Sequence, residues 1–196
     1  MTAPAAFDLF TIGHSNHSIE RFLALLRAAG VTAVADVRSN PSSPRYPWFS
    51  GARLGDRLAA EGIAYVPLGD ALGGRPRDPR LYRDGVADYA AMARTDDFRA
   101  GLDRVSEGTR QFRICLMCAE REPLDCHRCL LVAPALAARG FRIGHILADG
   151  TIEPHAATEE RLLAFAGDKA DLFEYRDLRV AAAYRRRAGT AAFRRT

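Results

Sequence analysis

Three features of the chain predict an α/β fold: a single three-layer domain with a mainly parallel sheet of about five strands and helices on both faces. Short apolar, β-branched runs alternate with helical patterns along most of the sequence. Those runs are continuously apolar, as in strands buried on both faces. The unusual polar residues collect just after the strands, where open α/β sheets bind their ligands.

Taken in order, Asp8 to Ile12 reads as a buried strand ending at Gly13. Ile19, Phe22, Leu23 and Leu26 then fall on one helical face, with Ser18 as N-cap and Gly30 as the stop. Val31 to Val37 is the second strand. A long loop, Arg38 to Ser50, carries three prolines with Tyr46, Trp48 and Phe49, and loops of that length inside compact domains are usually functional or mobile. Leu54 and Leu58 mark a short helix, and Ile63 to Val66 a third strand. Pro67 to Asp84 reads as a second long loop holding Gly73, Gly74 and Arg75. Helical patterns follow at Val86, Tyr89, Ala90 and Ala93, and at Phe98, Leu102 and Val105. Phe112 to Met117 is the fourth strand. It leads into a helix over Cys126 to Arg139, which Pro134 must kink or split. Arg142 to Leu147 is the fifth strand, Asp149-Gly150 a turn and Thr158 to Ala166 a helix. The α/β domain is placed at residues 7–167, followed at 168–196 by a basic tail, helical or partly disordered.

At 196 residues, 48% hydrophobic and 27% charged, the composition is that of one soluble globular domain. Met1 to Asp8 lacks the pattern of a signal peptide, and no apolar run approaches a bilayer span, so a cytoplasmic protein without membrane partners is expected. Nothing in the sequence sets an oligomeric state. The net charge of +4 is uneven: residues 176–196 hold seven arginines against one acid, Asp177. Such a tail is either a solvated terminal helix or a contact for nucleic acid.

Four cysteines, Cys115, Cys118, Cys126 and Cys129, crowd one short stretch instead of spreading across the chain to close loops as in a secreted scaffold. Cys115, in mid-strand, reads as a packing residue. Cys118 ends the fourth strand, and Cys126-His127-Arg128 opens the next helix, where backbone N–H groups favour an anion or a thiolate. The leading expectation is an enzyme acting on an anionic or nucleotide-like small molecule. Cys118 or Cys126 would be its reactive thiol, His14 and His127 would move protons, and Glu120 would orient or protonate. Ser15, Asn16, Arg38, Ser39, Gly73, Gly74 and Arg128 would hold the ligand. Arg75 and Arg121 also lie on strand-end loops. Asp36, a carboxylate inside an apolar strand, is either a site residue or a structural anchor. His145 reads as a core histidine.

Other readings stay open. The same pocket fits a non-catalytic nucleotide or nucleic-acid binding module. No cofactor is predicted, yet Cys118, Cys126, Cys129 and a histidine would suit zinc in an interaction domain. Cys126-x-x-Cys129 has the spacing of a redox motif, although it follows the wrong strand for a thioredoxin-like chain. Neither common phosphate-loop motif is present.

The motifs Thr11-Ile12-Gly13-His14-Ser15-Asn16, Asp36-Val37-Arg38-Ser39, Leu72-Gly73-Gly74, Cys118-Ala119-Glu120 and Cys126-His127-Arg128, with His145 to Gly150, resemble the domain of unknown function 488 (DUF488) family. The resemblance runs in order from about Leu9 to His155 and excludes Cys129 and the tail. It implies an α/β domain and marks these motif residues, and it brings no settled activity.

Overall fold

A computed structural model of the chain describes residues 7–167 and 175–195. In chain order the elements are β1 (Leu9–Gly13), α1 (Ile19–Ala28), β2 (Ala33–Asp36), α2 (Gly51–Ala59), β3 (Ala64–Pro67), α3 (Gly69–Leu72), β4 (Tyr82–Arg83) and β5 (Val86–Ala87). There follow α4 (Tyr89–Met92), α5 (Asp96–Gly108), β6 (Ile114–Cys118), α6 (Ala133–Ala137), β7 (Ile143–Ile146), β8 (Ile152–Pro154), α7 (His155–Phe165) and α8 (Arg176–Ala191). The described helices include none long and apolar enough to cross a membrane.

Six strands form one sheet in the order β3-β2-β6-β1-β7-β8, parallel except for the antiparallel edge strand β8. This is the three-layer α/β domain that the alternation predicts. Side chains alternate across the strands. Phe10, Ile12, Val34, Cys115, Met117 and Ile146 pack with α1 and α2 on one face. Leu9, Ala33, Ala35, Ile114, Leu116 and Cys118 pack with α5, α6, α7 and α8 on the other. Placing the α1 and α2 crossovers on one face and the returning ones on the other keeps every parallel connection of one hand.

The sheet has one more strand than the sequence shows. β8 is only three residues long and ends in Pro154, a residue tolerated at a sheet edge because it withholds a donor. Val86, read from its periodicity as helical, lies instead in the β4-β5 hairpin. Asp84 and Gly85 both have positive φ there, as the two-residue turn of a right-twisted hairpin requires. Pro134 splits its helix as expected. The chain widens into a single π-helical turn, Arg128–Val132, before α6 resumes with the proline in its first turn.

Helix α8 docks on the domain through Val180 and Ala183, both buried. Arg176 pairs with Glu159 and Glu160, and Arg187 pairs with Asp125 and donates to the Leu124 carbonyl. After the helix the chain runs beside β5: Ala87 N donates to the Phe193 carbonyl at 2.9 Å, and Arg195 N to that of Gly85 at 2.8 Å.

A buried polar chain ties this helix to the sheet. Thr11 Oγ1 is 2.8 Å from His145 Nδ1, and His145 Nε2 is 2.9 Å from His155 Nδ1. His155 Nε2 in turn is 3.2 Å from Tyr184 Oη, with Glu159 at 3.9 Å and Cys129 alongside. Burial holds both histidines below the ordinary imidazole range. A depressed folded pKa means that the unfolded chain takes up these protons first as pH falls through about 6.5. The contribution of these two histidines to unfolding free energy is therefore expected to be level above neutrality and to decline from about pH 7 downward. Urea titrations at pH 7.5 and 5.5 check this, and His155→Phe is expected to flatten the slope while lowering stability at both values.

Candidate functional site

The sheet opens at the carboxyl end of β6. The chain leaving β6 turns to one face, whereas the chains leaving its neighbours β1 and β2 turn to the other, and ligands of open α/β sheets bind where connections diverge in this way. The result is a cleft of about 880 Å³, within the range of small-molecule sites.

The close approach of β1 to the chain after β6 depends on glycine. A Cβ on Gly13 would stand 1.8 Å from the carbonyl oxygen of Glu120. Beyond the strand the pairing continues, His14 N to the Cys118 carbonyl at 2.8 Å and Ser15 N to that of Ala119 at 2.9 Å. Arg128, fully buried in the π-helical turn, closes the arrangement from below. Its guanidinium donates to the carbonyls of Glu120 at 2.7 Å and Arg121 at 3.1 Å. Arg128 thus supports the loop carrying Glu120 and does not line the cleft, unlike the ligand-holding position expected from the sequence.

Four side chains meet at the cleft floor. Glu120 Oε2 lies 2.9 Å from Cys118 Sγ and 3.0 Å from Cys126 Sγ. His127 Nδ1 lies 3.7 Å from Cys118 Sγ and 3.9 Å from Cys126 Sγ. The other nitrogen of that ring, Nε2, is 2.9 Å from the Val37 carbonyl, a contact that requires a proton on Nε2 and turns Nδ1 toward the thiols. Gly74 lies over the same ring, where a Cβ would come within 2.7 Å of His127 Cγ. Cys118, Glu120 and His127 face the cleft, and Cys126 sits behind them.

Electrostatics couples the four. Burial and the neighbouring Cys126 raise the Glu120 carboxyl. Burial would also raise Cys126, but hydrogen bonding from Cys118 and the charges of Arg128 and His127 outweigh it and hold that thiol low. Cys118 moves the opposite way, raised by burial and by Cys126. Burial lowers His127, and the negative charge of Cys126 and Glu120 overcomes it to give a net rise.

Arg38 is the buried cation of the opposite wall. Its Nε and Nη2 donate to Asp36 at 2.9 and 2.6 Å, and Tyr65 Oη donates to the same carboxylate at 2.7 Å. Asp36 is therefore the anchor that orients Arg38 and does not reach the cleft. Arg38 Nη1 stands 3.2 Å from His14 Nε2, and the His14 ring stacks on Phe49 at 4.4 Å. Burial, followed by the charge of Arg38, lowers His14 to about 4, so it is neutral at neutral pH.

Of the residues singled out in the sequence, Cys118, Glu120, Cys126 and His127 converge, and His14, Ser15, Asn16, Arg38, Ser39 and Gly74 line the same cleft. Gly73 packs behind Ser39 instead. Arg75 and Arg121 supply exposed guanidinium groups at the rim. Cys129 lies apart from this cluster, facing His145 and His155, so the set Cys118, Cys126, Cys129 and a histidine does not converge. Tyr89 and Phe193, not singled out in the sequence, also line the cleft; nothing in the local pattern shows that the tail returns past Arg75, whose guanidinium lies 4.6 Å from the Phe193 ring.

Fold and site together define an α/β domain with a polar crevice at the carboxyl ends of its parallel strands. The chain matches the domain of unknown function DUF488 over residues 18–134, more than half its length, and it belongs to that family. Cys118 to Arg128 lie inside the matched segment, while His14 and His145 lie outside it. No curated protein and no solved structure is significantly similar to the chain.

Proposed function

We propose that the chain is an enzyme acting on an anionic small molecule of nucleotide size, by thiol or general acid/base chemistry at the cleft floor. One observation carries this reading: a cluster of two thiols, a carboxylate and an imidazole opens into the same cleft as three guanidinium groups, those of Arg38, Arg75 and Arg121. Binding and reacting groups are thus gathered in a space that fits a single small ligand.

Division of labour follows from burial. Arg38, fixed by Asp36 and Tyr65, is a preorganised anion donor, and Arg75 and Arg121 at the rim draw a charged ligand in. Tyr46 and Tyr89 offer aromatic surface for a flat ring. Glu120, its carboxyl raised by burial, is the group best placed to give or take a proton in the cleft. A nucleic-acid role for the tail has less support, since Arg176 and Arg187 are engaged with acids of the domain itself.

Binding tests the reading before any reaction is known. AMP and inorganic phosphate, titrated calorimetrically onto the full chain, are expected to bind, with affinity falling as salt rises. Arg75→Ala with Arg121→Ala is expected to weaken AMP about tenfold or more per arginine, since hydrogen bonds to charged groups contribute about 1.5–3 kcal/mol. Unchanged affinity in that double variant would remove the cleft from consideration.

A further inference from the structure

We infer that Cys118, Cys126, His127 and Glu120 form a zinc site at the cleft floor, whose Glu120 position faces the ligand. The four donor atoms lie within 4.8 Å of one another and come from three separate segments: the end of β6, the loop after it and the start of the π-helical turn. Convergence of this kind on one point, from backbone held by Gly13 and Arg128, is what a polydentate metal site requires.

The sulfur–nitrogen separations are close to those around a tetrahedral ion. Zinc–sulfur bonds of about 2.3 Å and zinc–nitrogen bonds of about 2.0–2.1 Å put sulfur and nitrogen about 3.5 Å apart. The two observed separations are 3.7 and 3.9 Å. The carboxylate oxygen, at 2.9 and 3.0 Å from the sulfurs, sits nearer than an ion would hold it, so binding moves Glu120 outward by about half an ångström. Glu120 is also the partly exposed member of the set.

Outer contacts match those of metal ligands. His127 is oriented through Nε2 by the Val37 carbonyl, which leaves Nδ1 as the ligand atom. Arg128 N donates to Cys126 Sγ at 3.5 Å. Two thiolates and a carboxylate carry three negative charges, zinc supplies two positive ones, and the buried Arg128 guanidinium balances the rest. Soft thiolates with an imidazole select zinc over calcium or magnesium, which take oxygen donors. Thiolate ligation releases the thiol protons.

Because Glu120 points to the cleft, its place is the one that a water or a substrate oxygen can take, as at zinc sites that keep an exchangeable position. Glu120 would then be released beside the ligand. This deepens the enzyme reading but does not need it: zinc can bind here in a protein that catalyses nothing.

The test is metal content, followed by cobalt substitution of the full chain. Protein purified without added metal is expected to carry one zinc per chain, and cobalt(II) in its place should give the intense visible bands of tetrahedral coordination with a thiolate charge-transfer band. Cys126→Ser and His127→Ala are expected to lose those bands, whereas Cys115→Ser and Cys129→Ala keep them. Should the first pair fail to fold, the cobalt spectrum of the unaltered chain still decides. A pale octahedral cobalt spectrum would overturn the proposal, as would a thiol count two short without metal. Bands that persist in Cys118→Ser but vanish in Cys129→Ala would overturn it too, by placing the metal at His145 and His155. The AMP titration is read separately, so loss of zinc binding and loss of the anion cleft are distinguishable.

Discussion

Replacing Arg38 with methionine is expected to lower unfolding free energy by about 3–5 kcal/mol, the cost of stranding a buried charge. Asp36 is 1% exposed and Arg38 5%, so neither has water to fall back on. Without the guanidinium, the carboxylate keeps the Tyr65 hydroxyl and the backbone N–H of residue 38, which cannot neutralise it. Removing both charges, Asp36→Leu with Arg38→Met, is expected to recover much of the loss, because a well-packed apolar pair often matches a buried ion pair. The double variant should nonetheless fail to regain AMP affinity, since the proposed anion donor is gone. Urea unfolding beside AMP calorimetry separates the two effects. A loss below about 1 kcal/mol in the single variant would mean that the pair is reached by solvent after all.

Gly13→Ala is expected to be the most damaging of the small substitutions, at about 3 kcal/mol or more, with loss of the cleft-floor geometry. The new methyl would meet the Glu120 carbonyl oxygen at 1.8 Å and its carbon at 2.8 Å, both backbone atoms, with Arg128 Nη2 at 3.2 Å. The chain cannot relieve this by sliding, because Gly13 is in register with Cys118 and flanked by paired strands. The loop carrying Glu120 must lift and release the Arg128 clamp. Gly62→Ala is the control: it has φ +70 but open space around it, so backbone strain of about 1–2 kcal/mol is all it should show. Urea midpoints of the two variants make the comparison, and equal losses would contradict the close-approach argument.

Much of the fold was legible because buried parallel strands leave long apolar runs and helices leave a periodic face. β1, α1, β2, α5 and β6 all fall where the pattern places them. The short elements were not. β8 has three residues and the β4-β5 hairpin two on each side, too few for a period, although Asp84-Gly85 was a turn signal to be read. At the site, the strand-end rule brought together Cys118, Glu120, Cys126, His127, Arg38 and His14, because position at the end of a parallel strand is a property of order alone. Side-chain direction is not. Nothing in the sequence turns Arg128 down beneath Glu120, or Cys129 toward His145, since both depend on the π-helical turn before Pro134. Return of the tail to the cleft through Phe193 is tertiary contact between distant residues, invisible to any local pattern.

An amide NMR titration of the full chain with AMP distinguishes whether the cleft at the end of β6 takes an anionic ligand. Saturable shifts are expected, concentrated at Ser15, Ser39, Arg75, Ala119 and Arg121, around the cleft and next to Cys118. Shifts confined to the arginines of α8, or none at millimolar AMP, would contradict that expectation.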